Sequence, residues 1–166
     1  TRGDTLRIYS EKSLRSKTPL RIVYTTPRLA EVRASGATRV EVEGLNGTPL
    51  DVRKSGSSEV RLSGKVGSLN ARSSGSGLLD AGRLQADGID ATLSGSSRMR
   101  LGQVKGDHAR MELSGSSSLD ASGAVRSLSA RVSGSANADL ADLKTQDADL
   151  GASGAGGIRA TVKQSL

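Results

Sequence analysis

The chain has 166 residues, no Cys, Phe or Trp, 21 Gly and a net charge of +7. Without cysteine, disulfides and thiolate metal sites are excluded. Without large aromatics, the core has to be thin and filled by Val, Leu, Ile, Met and Ala, as in a narrow stacked tube. The charge is uneven: residues 1–30 hold seven Lys/Arg against two acids, and the rest hold 17 against 15. A basic end attracts acidic partners, although such an excess is more often a solvated surface. No stretch approaches the ~18 apolar residues of a membrane span.

Residues 4–10 and 19–24 read as two strands joined by a polar, basic loop that contains Arg15 and Lys17. Pro27 ends this unit. The expected arrangement is an N-terminal β-hairpin cap, residues 1–30, hiding the unpaired backbone edge of the first repeat.

From residue 31 to 166 the chain is a repeat array. Ser-Gly pairs fall at Ser35-Gly36, Ser55-Gly56, Ser74-Gly75, Ser94-Gly95, Ser114-Gly115, Ser133-Gly134 and Ser153-Gly154, in steps of 20, 19, 20, 20, 19 and 20. So regular a period means one supersecondary unit stacked on itself. With each motif serine as position zero, position +5 reads Val40, Val60, Leu79, Met99, Leu119, Ala138, Ile158, and position +7 is equally apolar. Positions −5 and −3 repeat the pattern before the serine. Apolar residues two apart mark strands with one buried face.

Position +6, between two apolar columns, is wholly charged: Glu41, Arg61, Asp80, Arg100, Asp120, Asp139, Arg159. Five of its six successive pairs are opposite in sign, as expected if each coil lies directly on the next, about 4.8 Å away. A third apolar site, Leu45, Val66, Leu84, Val104, Val125 and Leu143, falls at +10 in the long units and +11 in the short ones. The missing residue of the short units is therefore expected in that connecting segment. The Ser-Gly pairs read as corners, because Gly tolerates positive φ and close backbone approach. Gly36, Gly56, Gly75, Gly95, Gly115, Gly134 and Gly154 are the predicted corner residues. The fold expected is all-β, a single-stranded parallel β-helix of about seven coils.

No catalytic residue set and no metal-ligand spacing is present, so no cofactor is expected. His108 stands without a clustered partner and reads as an exposed loop histidine. Ser57, Ser76, Ser96, Ser116 and Ser135 form a hydroxyl column beside the corner, read as turn chemistry. Arg33, Arg53 and Arg72 stack three like charges at position −2, with Glu31, Asp51 and Asp90 alongside at −4. This stripe, with Arg15 and Lys17, is the candidate anion-binding surface. Nucleic acid is not expected, because stacking aromatics and recognition motifs are absent. The last unit lacks an evident cap, so homo-oligomerisation through the C-terminal edge is a further expectation.

Three segments together carry a resemblance: Gly3-Asp4-Thr5-Leu6-Arg7-Ile8; Pro19-Leu20-Arg21-Ile22-Val23-Tyr24-Thr25-Thr26-Pro27; and Leu29-Ala30-Glu31-Val32-Arg33-Ala34-Ser35-Gly36, followed by iterated Ser-Gly-Ser. The chain resembles the bacterial "putative autotransporter adhesin, head GIN domain" family along essentially its whole length. The resemblance implies a β-helical fold and a periplasmic, outer-membrane-associated or secreted setting. It supplies no catalytic residues. Family members usually carry a signal or lipoprotein segment upstream, so a trimmed or mature chain is expected here. A non-enzymatic adhesin-like or structural module is the reading these features favour. A polysaccharide-binding or polysaccharide-degrading protein and an end-to-end assembling scaffold are the alternatives.

Overall fold

The computed structural model describes residues 5–8, 20–25 and 28–162, which form thirteen strands and no helix. The strands are β1 (Thr5–Ile8), β2 (Leu20–Thr25), β3 (Glu31–Ala34), β4 (Thr38–Asn46), β5 (Leu50–Lys54), β6 (Glu59–Val66), β7 (Leu69–Ser73), β8 (Ser76–Ala86), β9 (Ile89–Leu93), β10 (Ser96–Leu113), β11 (Ser118–Gly134), β12 (Asn137–Gly154) and β13 (Gly157–Val162). Every ladder among them is parallel. One path runs β1-β3-β5-β7-β9-β10-β8-β6-β4-β2, and β11, β12 and β13 continue from β10. This is a parallel β-solenoid of about seven coils.

The two N-terminal strands do not form the expected hairpin. β1 lies parallel on β3 with Leu6 opposite Val32, and β2 lies parallel on β4 with Ile22 opposite Val40. They stand at opposite ends of the strand path. The physical reason is their period-two pattern, which matches the apolar columns on either side of the corner. Each strand extends one column in parallel, and a hairpin would satisfy neither.

The interior is built from the columns that flank the corner. Val32, Val52, Ala71, Ala91, Met111 and Ala130 before it, and Val40, Val60, Leu79, Met99, Leu119 and Ala138 after it, are each at most 2 % exposed. Small and large side chains share these columns, so the tube stays narrow. Each fully buried Leu or Met contributes about 1.5–3 kcal/mol.

All seven predicted corner glycines sit at positive φ, from 68° at Gly56 to 95° at Gly154. Close approach adds to the demand: a Cβ on Gly95 would lie 2.7 Å from the Gly75 carbonyl oxygen. Two hydrogen bonds hang each corner on the one before it, as in Ser74 N–H to Lys54 O and Ser76 N–H to Gly56 O, at 2.9 and 3.0 Å.

The charged +6 column is in register as expected, from Glu41 opposite Arg61 to Asp139 opposite Arg159. Its side chains do more than face one another. Arg61 bonds Glu59 on its own strand at 2.7 Å, while Arg159 reaches Asp139 at 3.5 Å. Asp80 accepts the Gly82 N–H at 3.0 Å, and Asp139 accepts the Ala141 N–H at 3.3 Å.

The third apolar site corrects the expected register. Leu45 faces Gly64, and Gly64 faces Leu84; Val104 likewise faces Gly123, which faces Leu143. The short coils lose their residue at the bend after position +7, before the apolar site. Gly64 is then pressed against the neighbouring coil, where a Cβ would stand 2.4 Å from Leu45 O. Val66, two residues further on and fully buried, fills the interior instead. At the C-terminal side β13 pairs with β12 alone among the described residues, and Leu150, on the part of β12 beyond that pairing, is 41 % exposed.

Candidate functional site

A furrow runs along the solenoid on one side of the Ser-Gly corner. Strand alternation produces it: position −2 points outward, −1 points inward, and the corner serine at zero turns outward again. Between the two outward columns the main chain at −1 is left as a floor. One stretch, of ≈ 550 Å³, is lined by residues that include Arg33, Arg53, Arg72, Ser55, Ser74 and Ser94. A second stretch, of ≈ 450 Å³, includes Glu112, Arg131, Ser114 and Ser133. Thr92 lines both, so they are consecutive parts of one furrow.

Arg33, Arg53 and Arg72 occupy one register position on three successive coils, and Thr92 follows them. Their side chains are roughly half exposed. Carboxylates on position −4 hold them in place. Arg33 donates through Nε to Glu31 Oε1. Arg53 donates through Nε to Asp51 Oδ1 at 3.0 Å and through a terminal nitrogen to Oδ2 at 3.5 Å. Arg72 has Asn70 at −4 on its own strand and leans back to Asp51 Oδ2, 3.6 Å away. Among the described residues, Glu31 and Asp51 thus serve these three guanidiniums. A guanidinium carries five N–H donors, and these contacts use only part of each set.

Beneath the furrow lies a feature that pattern reading missed. On the first six coils position −1 faces the interior and reads Ala34, Lys54, Ser73, Leu93, Leu113, Val132, each at most 3 % exposed, whereas Ala152 on the last coil is exposed. Lys54 is among them, 2 % exposed, and its Nζ donates to the Ser76 carbonyl at 3.0 Å. Burial lowers its pKa from the ordinary lysine value. Next to it the Ser73 hydroxyl is buried without a hydrogen-bond partner.

Lys54 has a local reason to be there. At position +3, Thr38, Ser58, Ser97 and Ser117 point inward, and each hydroxyl donates back to the carbonyl of its corner serine, at 3.4, 3.0, 3.1 and 3.0 Å. The third coil has Gly77 at +3 and no such hydroxyl. The Lys54 chain occupies that place, so that a Cβ on Gly77 would meet its Cε at 3.2 Å. The signal for both columns was parity: −1 has the same parity as −3 and −5, and +3 the same as +5 and +7. The outer serine column is exposed, and Ser57 and Ser76 pair within it at 3.1 Å.

Further along the furrow Arg131 lies across Gly151 and bonds Asp149 on the next coil. The hydrogen bond raises the Arg131 pKa and lowers that of Asp149. Arg15 and Lys17, the other members of the predicted basic stripe, lie outside the described residues. His108 is exposed, on a different side of the coil, opposite Ser127 in register, with its ring against Gly88. The structure does not bring it to the arginine furrow. Among the described residues no group of three His, Cys, Asp or Glu side chains is arranged to hold a metal ion. No described helix is long and apolar enough to cross a membrane.

The family profile described as "Putative auto-transporter adhesin, head GIN domain" matches residues 1–105 and again 84–166. The two overlapping matches span the whole chain, consistent with a repeat aligned twice. Comparison with curated proteins and with solved structures finds no match.

Proposed function

The chain belongs to the auto-transporter adhesin head GIN domain family, and we propose that it is a non-enzymatic, adhesin-like module whose binding surface is the arginine furrow. The family points to an envelope or secreted location, and within that range we place it in the periplasm, at the outer membrane or outside the cell. The observation that carries the reading is the stack of Arg33, Arg53 and Arg72 in register, with Glu31 and Asp51 as their carboxylate partners among the described residues. Like charges one coil apart repel and cost a little stability. A ligand that brings negative charge to the furrow relieves that repulsion, so binding and local stability pull the same way.

The ligand class is an anionic component of a cell surface. A wall of corner serines opposite the arginines adds hydroxyl donors and acceptors, which suits a polar polymer better than an apolar one. Exposed guanidiniums make such binding sensitive to salt. The test is a glycan-array screen of the protein beside its Arg33→Ala/Arg53→Ala/Arg72→Ala variant. Acidic glycans are expected to be retained by the first and lost by the second. Equal retention by both, or retention of neutral glycans alone, would remove the furrow from the reading.

A further inference from the structure

Resting on that reading of the furrow, we propose that its ligand is a linear acidic polysaccharide lying parallel to the solenoid axis, about one sugar residue per coil. The spacing carries the argument. Equivalent side chains recur every 4.8 Å or so along a parallel stack, close to the length of one pyranose residue in an extended chain. The arginines therefore present a row of cations in step with a row of uronate carboxylates. The opposite wall repeats at the same interval: Ser35, Ser55, Ser74 and Ser94 line the same stretch of furrow. Arginine on one side and hydroxyl on the other meet the two kinds of group that an acidic sugar carries.

The furrow also sets the length. Its cationic column starts at Arg7, which stands opposite Arg33 one coil earlier, runs through Arg33, Arg53 and Arg72 and passes Thr92; Glu112 stands at the next step. Glu112, itself paired with Arg110 at 2.9 Å, offers the ligand's next charge no cation, so about five coils accept the polymer. The groups that hold the arginines in the free protein compete with the sugar for them. Asp51 is the chief competitor, since it contacts both Arg53 and Arg72. No aromatic ring lines the stretch, so neither stacked neutral sugars nor nucleobases find a platform.

A length series of oligouronates, from disaccharide to octasaccharide, tests this by calorimetry. Affinity is expected to rise about two- to fivefold per added residue, the range of one exposed ion pair, and to level off at the pentasaccharide. Asp51→Asn should tighten the tetrasaccharide by a similar two- to fivefold factor. Arg53→Lys/Arg72→Lys, which keeps the charge and loses the planar fork, should weaken it while leaving the unfolding midpoint unchanged. Affinity that keeps rising at the same rate to the octasaccharide, or that ignores length, overturns the axial arrangement even where the triple-alanine variant still abolishes binding. Tripolyphosphate binding as tightly as the tetrasaccharide overturns the sugar assignment. Failure of every oligouronate to bind overturns the inference, and if other anionic glycans still need the arginines, the furrow reading survives it.

Discussion

Lys54 shows what a single side chain does when the repeat omits a group. Its coil neighbour has glycine where four other coils place an inward hydroxyl, and the lysine crosses from the preceding coil to bond the Ser76 carbonyl. Burying the ammonium carries a desolvation cost, which lowers the pKa below 10.5. Between the lowered value and 10.5 the unfolded chain binds more protons than the folded one, so stability rises with pH across that window. Below the lowered value the cost is fully present. The stability of the native protein minus that of Lys54→Met should therefore grow as pH is raised from neutral toward 10.5, measured by urea unfolding. A flat difference would mean that the ammonium is solvated. Gly95 is the complementary case, with φ 76° and the Gly75 carbonyl 2.7 Å from any added Cβ. Gly95→Ala is expected to destabilise by roughly 2–4 kcal/mol in the same measurement.

At the level of the strand, the charged column after the corner does two jobs. Its alternating sign is in register, but exposed ion pairs are worth about 0–1 kcal/mol each. Asp80 also accepts the Gly82 N–H and so secures the bend where the long coils carry their extra residue. The two roles separate experimentally. Asp80→Asn removes the charge and keeps an acceptor, whereas Asp80→Ala removes both. The alanine variant should be less stable than the asparagine variant by about 1 kcal/mol; equal loss would leave charge pairing as the only role. The strands themselves were legible because parity and a fixed period determine which side chains go inside. The register of the third apolar site was not. Gly64 and Gly123 align with leucine and valine there, and hydrophobic matching alone slid those coils by two residues. The hairpin expectation failed for a related reason: two adjacent strands look alike whether they pair with each other or each extends a separate column.

Over the whole molecule, the solenoid converts sequence period into a straight furrow with chemistry repeated along it. The arginine stripe was legible as three stacked charges, because position −2 points outward on every coil. The carboxylates that hold it were legible in part. Glu31 and Asp51 take that role, but Asp90 shares its strand with Thr92 rather than an arginine, and Arg72 reaches across to Asp51 instead. The depth of the furrow and the lysine beneath it required the stacked coils. A scaffold in which each inner strand is paired on both sides has little left to order on binding, so affinity is set by the match of charge and spacing. A crystal structure of the protein with an acidic tetrasaccharide reads that match out. The sugar is predicted to lie along the coil axis, with its carboxylates on Arg53 and Arg72 and its hydroxyls toward Ser74 and Ser94. A sugar seated on another face, or crossing the coils without touching these arginines, would contradict it.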